Sequence, residues 1–228
     1  LAGATAAAML GRAGHAAILI EPHAEQRPEF RCEKLDDSQL ELLSRTGLAD
    51  DVLPHTCAGG KVWVVRYGRV VDRNKNSPAG ILYHDLVNTV RQQIPASVPH
   101  IAAKVSAISG NAGRQRVSLA NGDEIEARLV ILANGLNPGL RETLEIKREV
   151  LSPCHSISIG FDMKPDGDQP FAFPALTVFP ERPDQSMAYL TVFPVRGGHA
   201  GQSFRLLGHG GYAPAQVPPS AEGGASRS

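Results

Sequence analysis

Leu1, Ala4, Ala8 and Met9 recur at helical spacing along an alanine-rich opening, which predicts a helix over Ala2–Ala13 that stops at Gly14. A continuous apolar run, Ala16 to Ile20, follows and ends at Glu21-Pro22. Runs of this kind suit a parallel strand covered on both faces. A helix feeding directly into such a strand is half of a βαβ unit. The strand that leads into that helix is missing, so the chain is expected to start inside a domain. Asp36-Asp37-Ser38 offer N-capping side chains for a second helix, with Leu40, Leu42 and Leu43 turned inward and an end at Gly47. A third helix is expected from His84 to Ile94, with Leu86, Val87, Val90 and Ile94 on one face and Pro95 as its stop.

The intervening pattern is that of strands. Lys61–Arg66 and Arg69–Arg73 flank Tyr67-Gly68 and predict a hairpin. Further strands are expected around Ile101–Ile108, Arg116–Leu119 and Glu124–Leu132, the last two joined by the turn dipeptide Asn121-Gly122. Leu129–Ala133 reads as a buried strand with Asn134-Gly135 as its turn. Ser156–Met163, Ala175–Pro180 and Met187–Pro194 predict another sheet. From His199 to Ser228 Gly, Pro, Ala and Ser dominate, a composition that cannot offset the entropy of ordering and predicts a disordered tail.

Composition narrows the class. A chain of 228 residues fits one domain or two small ones, and 42% hydrophobic residues exclude wholesale disorder. Lys+Arg and Asp+Glu are balanced at 23 each, so the basic excess of a nucleic-acid binder is absent. No apolar run approaches the ~18 residues of a membrane span. Three distant cysteines without a CxxC pair argue against a disulfide framework or zinc ribbon and for a reducing, cytoplasmic setting. The opening also lacks the layout of a signal peptide.

The chemistry with most content is at the start. Gly3 in a small-residue helix, then a strand ending in Glu21, is the back half of a dinucleotide fingerprint. There, glycine permits close approach of a pyrophosphate to the helix N-terminus. An acidic residue about 20 positions on accepts hydrogen bonds from the ribose. An ordinary alanine-rich core helix and a solvated turn carboxylate at Glu21 explain the same residues.

Gly11-Arg12-Ala13-Gly14-His15 with Ile18–Glu21, then Phe30-Arg31-Cys32-Glu33-Lys34-Leu35, resembles the start of FAD-dependent monooxygenases of the p-hydroxybenzoate hydroxylase type. Leu86–Arg91 is similar to that family's third helix, and Lys104-Val105 to the strand whose backbone meets the adenine. Ala127–Gly135 with Leu140-Arg141 resembles its A-D-G segment, although the common aspartate stands here as Asn134, which keeps hydrogen bonding and loses the charge. The later glycine-aspartate segment is not found. The resemblance spans roughly Leu1 to Gly198 and implies a domain truncated at both ends.

What it implies for the fold is α/β: an incomplete, Rossmann-like FAD/NAD(P)-binding domain over 1–58 and 81–150. Interleaved with it is substrate-side β-structure over 59–80 and 151–198. For function it implies an FAD-dependent oxidoreductase of monooxygenase lineage. NAD(P)H would be the electron donor, O2 the co-substrate and a small organic molecule the substrate, with no nucleic-acid partner and no membrane span. Gly3, Glu21, Arg31, Val105, Asn134 and Gly135 are the expected cofactor-binding residues, with Arg31 against the flavin cofactor. For Arg31 a salt bridge with Glu33 or Asp36 is the alternative, and for Asn134-Gly135 a turn without a ligand. No catalytic acid, base or nucleophile is assigned. Two other readings stay open: an inactive fragment from a partial or frameshifted gene, and an NAD(P)-dependent dehydrogenase.

Other chemistry is set aside. The eight histidines are scattered and no metal site is expected; His55-Thr56-Cys57 is too small a cluster for one. Cys154-His155 are neighbours on a predicted strand and point apart. Asp162, Asp166 and Asp168 lack the alternation of a calcium loop.

The tail carries a prediction about the gene. Codons for His199–Gly211 can be chosen so that the same bases, read one position later, encode a segment containing Leu-Phe-Val-Tyr, an apolar strand. The nucleotide sequence is expected to show a frameshift near Gly198. A coding sequence whose shifted frame yields no such strand removes the idea.

Overall fold

A computed structural model describes residues 1–74, 78–151, 157–165, 170–181, 187–196 and 202–210. Its helices are α1 (Ala2–Arg12), α2 (Asp37–Arg45), α3 (Ala49–Val52), α4 (Tyr83–Gln92) and α5 (Gly139–Thr143). The strands before α4 are β1 (Leu19–Ile20), β2 (Cys32–Leu35), β3 (Cys57–Ala58), β4 (Val62–Arg66), β5 (Arg69–Asn74) and β6 (Ala79–Leu82). After it come β7 (His100–Ile101), β8 (Val105–Asn111), β9 (Arg114–Leu119), β10 (Glu124–Ala127), β11 (Ile157–Met163), β12 (Ala175–Val178), β13 (Met187–Arg196) and β14 (Gln202–Gly210).

The architecture is α/β, and the described residues form four sheets. β1 pairs in parallel with β7, Leu19 opposite His100 and Ile20 opposite Ile101. β2 and β3 flank β6, both antiparallel to it. β8, β9 and β10 form an antiparallel meander. The largest sheet has the order β11-β14-β13-β12-β4-β5, in which β12 and β4 run parallel.

Local sequence accounts for most elements. The α2 start is fixed by Gln39, whose Oε1 accepts the Asp36 N–H at 2.7 Å. Tyr67 and Gly68 both adopt positive φ, 52° and 66°, the twist that a two-residue hairpin between β4 and β5 requires. Period-3.6 spacing on α4 buries Leu86, Val87 and Val90 completely or nearly so. Leu86 and Val90 join Ala4 of α1, Leu35, Leu48, Val52, Ala79 and Ile81 in the main core, with Ile94 packed against it. A second core sits on the other side of β6. Cys32, Ala175, Phe193 and Val195 are buried there, and Val62 and Leu82 pack against them.

Four expectations are corrected. Leu42 is 56% exposed. Leu40 and Leu43, three apart and so on one face, take the inward side of α2. Ala16–Ile18 stay outside β1, which has a ladder on its β7 edge alone among the described residues. Leu129–Ala133 is not a strand, and Leu129 and Ile131 are 73% and 54% exposed. Continuous apolar runs need strands on both sides, and none of the described residues pairs with this one. Finally, Gln202–Gly210 of the expected disordered tail form β14, because β11 and β13 offer it antiparallel backbone partners on both edges. Residues 197–201 and 211–228 lie outside the described residues.

β6 and β13 approach each other at backbone range at Gly80. A Cβ there would lie 1.9 Å from the Pro194 carbonyl oxygen and 3.0 Å from Phe193 Cδ2. Backbone cannot yield as a flexible side chain can, so Gly80→Ala should cost about 3 kcal/mol or more, the upper end of overpacking. Urea unfolding measures it. Gly113→Ala, where a Cβ meets only Asn111 Oδ1 at 3.8 Å, should stay within ~0.5 kcal/mol of the parent. Equal midpoints for the two variants would contradict a rigid seam.

Candidate functional site

A cavity of about 1630 Å³ opens beside the N-terminal turns of α1. Its walls are α1, the end of β1, the start of β8 and the segment from Ala127 to Asn134. At Gly3 a Cβ would sit 3.3 Å from Ala133 Cβ and 3.8 Å from Leu19 Cδ1. Glycine keeps that gap open. The α1 N-terminus has no side-chain cap and no acidic residue in its first turn. Its free N–H groups and dipole therefore suit an anion.

Glu21 follows β1, its N–H donating to the Ile101 carbonyl at 3.1 Å. Its Oε1 accepts the His23 N–H at 3.3 Å, and its Oε2 faces Arg91 Nη2 at 3.8 Å. Arg91 comes from α4 and donates through Nη1 to the Ala24 carbonyl at 3.2 Å. Three residues earlier on α4, Asn88 Oδ1 accepts the Gln26 N–H at 2.8 Å and Asn88 Nδ2 donates to the Gln26 carbonyl at 2.9 Å. One helix thus holds the loop after Glu21 with three hydrogen bonds, at Ala24 and Gln26.

Of the expected site residues, Gly3, Glu21, Val105 and Asn134 line this one cavity. Asn134 also shapes the turn into α5, its Nδ2 donating to the Asn137 carbonyl at 2.8 Å. Gly135 adopts φ +60° in that turn, with open space where a Cβ would be. Arg31 lies off the cavity wall. Its Nε donates to Glu33 Oε1 at 3.0 Å, and its guanidinium lies 3.7 Å from the centre of the Tyr83 ring. The alternative salt bridge therefore forms with Glu33; Asp36 pairs with Lys34 at 3.3 Å instead. Cys154, His155, Asp166 and Asp168 lie outside the described residues.

Sequence reasoning missed Arg91 and Asn88 as site residues. The available signal was two polar residues at i and i+3 flanking the apolar face of the third helix. It also missed a smaller cleft of about 440 Å³ between β2 and the large sheet, lined by Glu33, Thr177, Phe179, Tyr189 and Thr191 among others. Phe179 and Tyr189 have ring centres 6.2 Å apart, and the Arg66 guanidinium lies 4.2 Å from the Phe179 ring centre. Among the described residues no helix is long and apolar enough to cross a membrane, and no cluster of His, Cys, Asp and Glu could hold a metal.

A helix N-terminus open to a cavity, with an acidic strand end beside it, is the arrangement of a nucleotide-binding α/β fold. The chain matches the FAD binding domain family over residues 1–206 and belongs to that family. No curated protein matches it in sequence. Solved structures share the fold. A tetrameric form of 2-methyl-3-hydroxypyridine-5-carboxylic acid oxygenase superposes with TM-score 0.68 at 18% identity, over 94% of this chain and 57% of that one. PqsL, a probable FAD-dependent monooxygenase from Pseudomonas aeruginosa, gives TM-score 0.71 at 17% identity, over 91% and 57%. The tetracycline destructase Tet(55) gives 0.59 at 16% identity, over 97% and 57%. The chain therefore spans a little over half the length of these structures.

Proposed function

We propose that this chain supplies the FAD site and part of the substrate side of a monooxygenase that uses NAD(P)H and O2 on a small organic molecule in the cytoplasm. The observation that carries the reading is the single cavity that gathers Gly3, Glu21, Val105 and Asn134 around an uncapped helix N-terminus.

The residues present fit the cofactor. Gly3 leaves a gap that a side chain would fill. The first-turn N–H groups of α1 would hold the pyrophosphate, Glu21 the adenosine ribose, and the backbone at Val105 the adenine. Asn134 and Gly135 would border the cofactor from the turn before α5. Arg31, fixed by Glu33 and Tyr83, would stand against the flavin end. FAD, when bound, supplies the redox chemistry that links a hydride donor to O2. The protein's part is binding, orientation and exclusion of water. The cleft with Phe179 and Tyr189 suits a planar organic substrate, since aromatic walls with a few polar groups are the usual lining of small-molecule sites. An NAD(P)-dependent dehydrogenase would share the helix and Glu21 but has no use for a flavin.

The test is a visible absorption spectrum of the purified chain after loading with FAD and desalting. Retained flavin bands are expected. Glu21→Ala should weaken FAD binding by about tenfold or more, the worth of one charge-assisted hydrogen bond, and Arg31→Ala should weaken it too. A folded protein that leaves the column colourless and binds NADPH alone would favour the dehydrogenase.

A further inference from the structure

Glu21 is placed by its neighbours as much as by its strand. Its carboxylate fronts the cavity and is 36% exposed, whereas the Arg91 side chain behind it is only 13% exposed. A guanidinium so far out of water needs partners for its donors. Arg91 has the Ala24 carbonyl and, at longer range, Glu21 Oε2, and its Nε is buried with no hydrogen-bond partner. The pairing is therefore one-sided. The cation is held in the wall by α4, and the anion is turned toward the opening.

An ionised carboxylate offers about four lone-pair sites on its two oxygens. The His23 N–H takes one on Oε1, and Arg91 lies nearest Oε2. Each oxygen keeps a further lone-pair site, and Glu21 lines the cavity. Two acceptors side by side are what a vicinal diol needs. Without Arg91 the carboxylate would keep the single His23 contact, and its side-chain torsions would be free to turn Oε2 to solvent. Asn88, bonded twice to Gln26, keeps the backbone of the same loop from following.

We infer that Arg91 is a positioning residue for recognition of a ribose diol. From the wall of the cavity it sets the Glu21 carboxylate so that both oxygens accept from the two hydroxyls. This rests on the proposal that Glu21 holds the adenosine ribose of FAD. It adds a residue from α4 that acts through Glu21.

The test compares the affinity of the full chain for FAD and for the FAD analogue with a 2′-deoxy adenosine ribose, by quenching of flavin fluorescence. The parent should prefer FAD by about tenfold, the size of one charge-assisted hydrogen bond. In Arg91→Met that preference should fall to about one, as it should in Glu21→Gln, and the double variant should lose no more than either alone. Arg91→Lys, which restores the charge but not the fork, should recover part of it. If Arg91→Met weakens both ligands equally and keeps the preference, Arg91 only supports the loop, and the inference fails while the FAD site stands. If the folded parent binds neither flavin, the FAD reading itself is lost and this one with it. Thermal unfolding of each variant separates loss of the fold from loss of discrimination.

Discussion

The missing side chain at Gly80 is the constraint on which the arrangement depends. β6 alternates: Ala79 and Ile81 point into the helical core, while Gly80 and Leu82 face the large sheet. With no Cβ at Gly80, the backbone of β13 comes within contact of β6 at Pro194. That approach lets Phe193 and Val195 reach Cys32 on the neighbouring β2. One short strand is then the common wall of both cores. Its own register with β2 and β3 cannot slip by a residue, because a slip would send Ile81 toward Pro194.

β6 runs without a loop into α4, so the seam also fixes where α4 lies. The helix is then used on two sides. Leu86, Val87 and Val90 are almost fully buried, and each such side chain is worth roughly 1.5–3 kcal/mol of burial. Asn88 and Arg91 make hydrogen bonds, each with a net worth nearer 1 kcal/mol. The apolar face therefore decides that α4 is there, and the polar flank decides what the loop after Glu21 looks like. Positioning obtained this way is inherited from the core.

The elements legible in the sequence are those whose cause is local. Helical spacing marks α1 and α4, and Tyr67-Gly68 marks the β4–β5 turn, because a few consecutive residues determine each. Leu129–Ala133 failed for the opposite reason. An apolar run states that burial is favourable but not which strand will cover it. Composition misjudged Gln202–Gly210 similarly, since backbone pairing on two edges is invisible to a count of apolar side chains. Of the residues that line the cavity, Gly3 and Glu21 were marked in advance by their spacing along one helix–strand segment. Arg91 was not, because its relation to Glu21 crosses some seventy positions of chain and exists only once α4 is packed.

The two ends of α1 show how a stable helix can carry an open site. Its buried residues, Ala4, Ala7 and Ala8, are small and give little burial each. The C-terminal end makes up for this. A Cβ at Gly11 would lie 2.5 Å from Val98 Cγ2, so the helix packs there at backbone range. Arg12 adds hydrogen bonds to the Thr46 and Gly47 carbonyls at 3.3 and 3.2 Å and to Gln93 Oε1 at 3.3 Å. The N-terminal end has none of this: no capping side chain and no acid in the first turn. A cap is worth about 1 kcal/mol, and its absence leaves several N–H donors directed at the cavity. Anchoring at one end makes that omission tolerable, and an anionic ligand at the other would supply the missing acceptors. On the proposal made above, the uncapped end of α1 is half of a binding contact rather than a weakness of the helix.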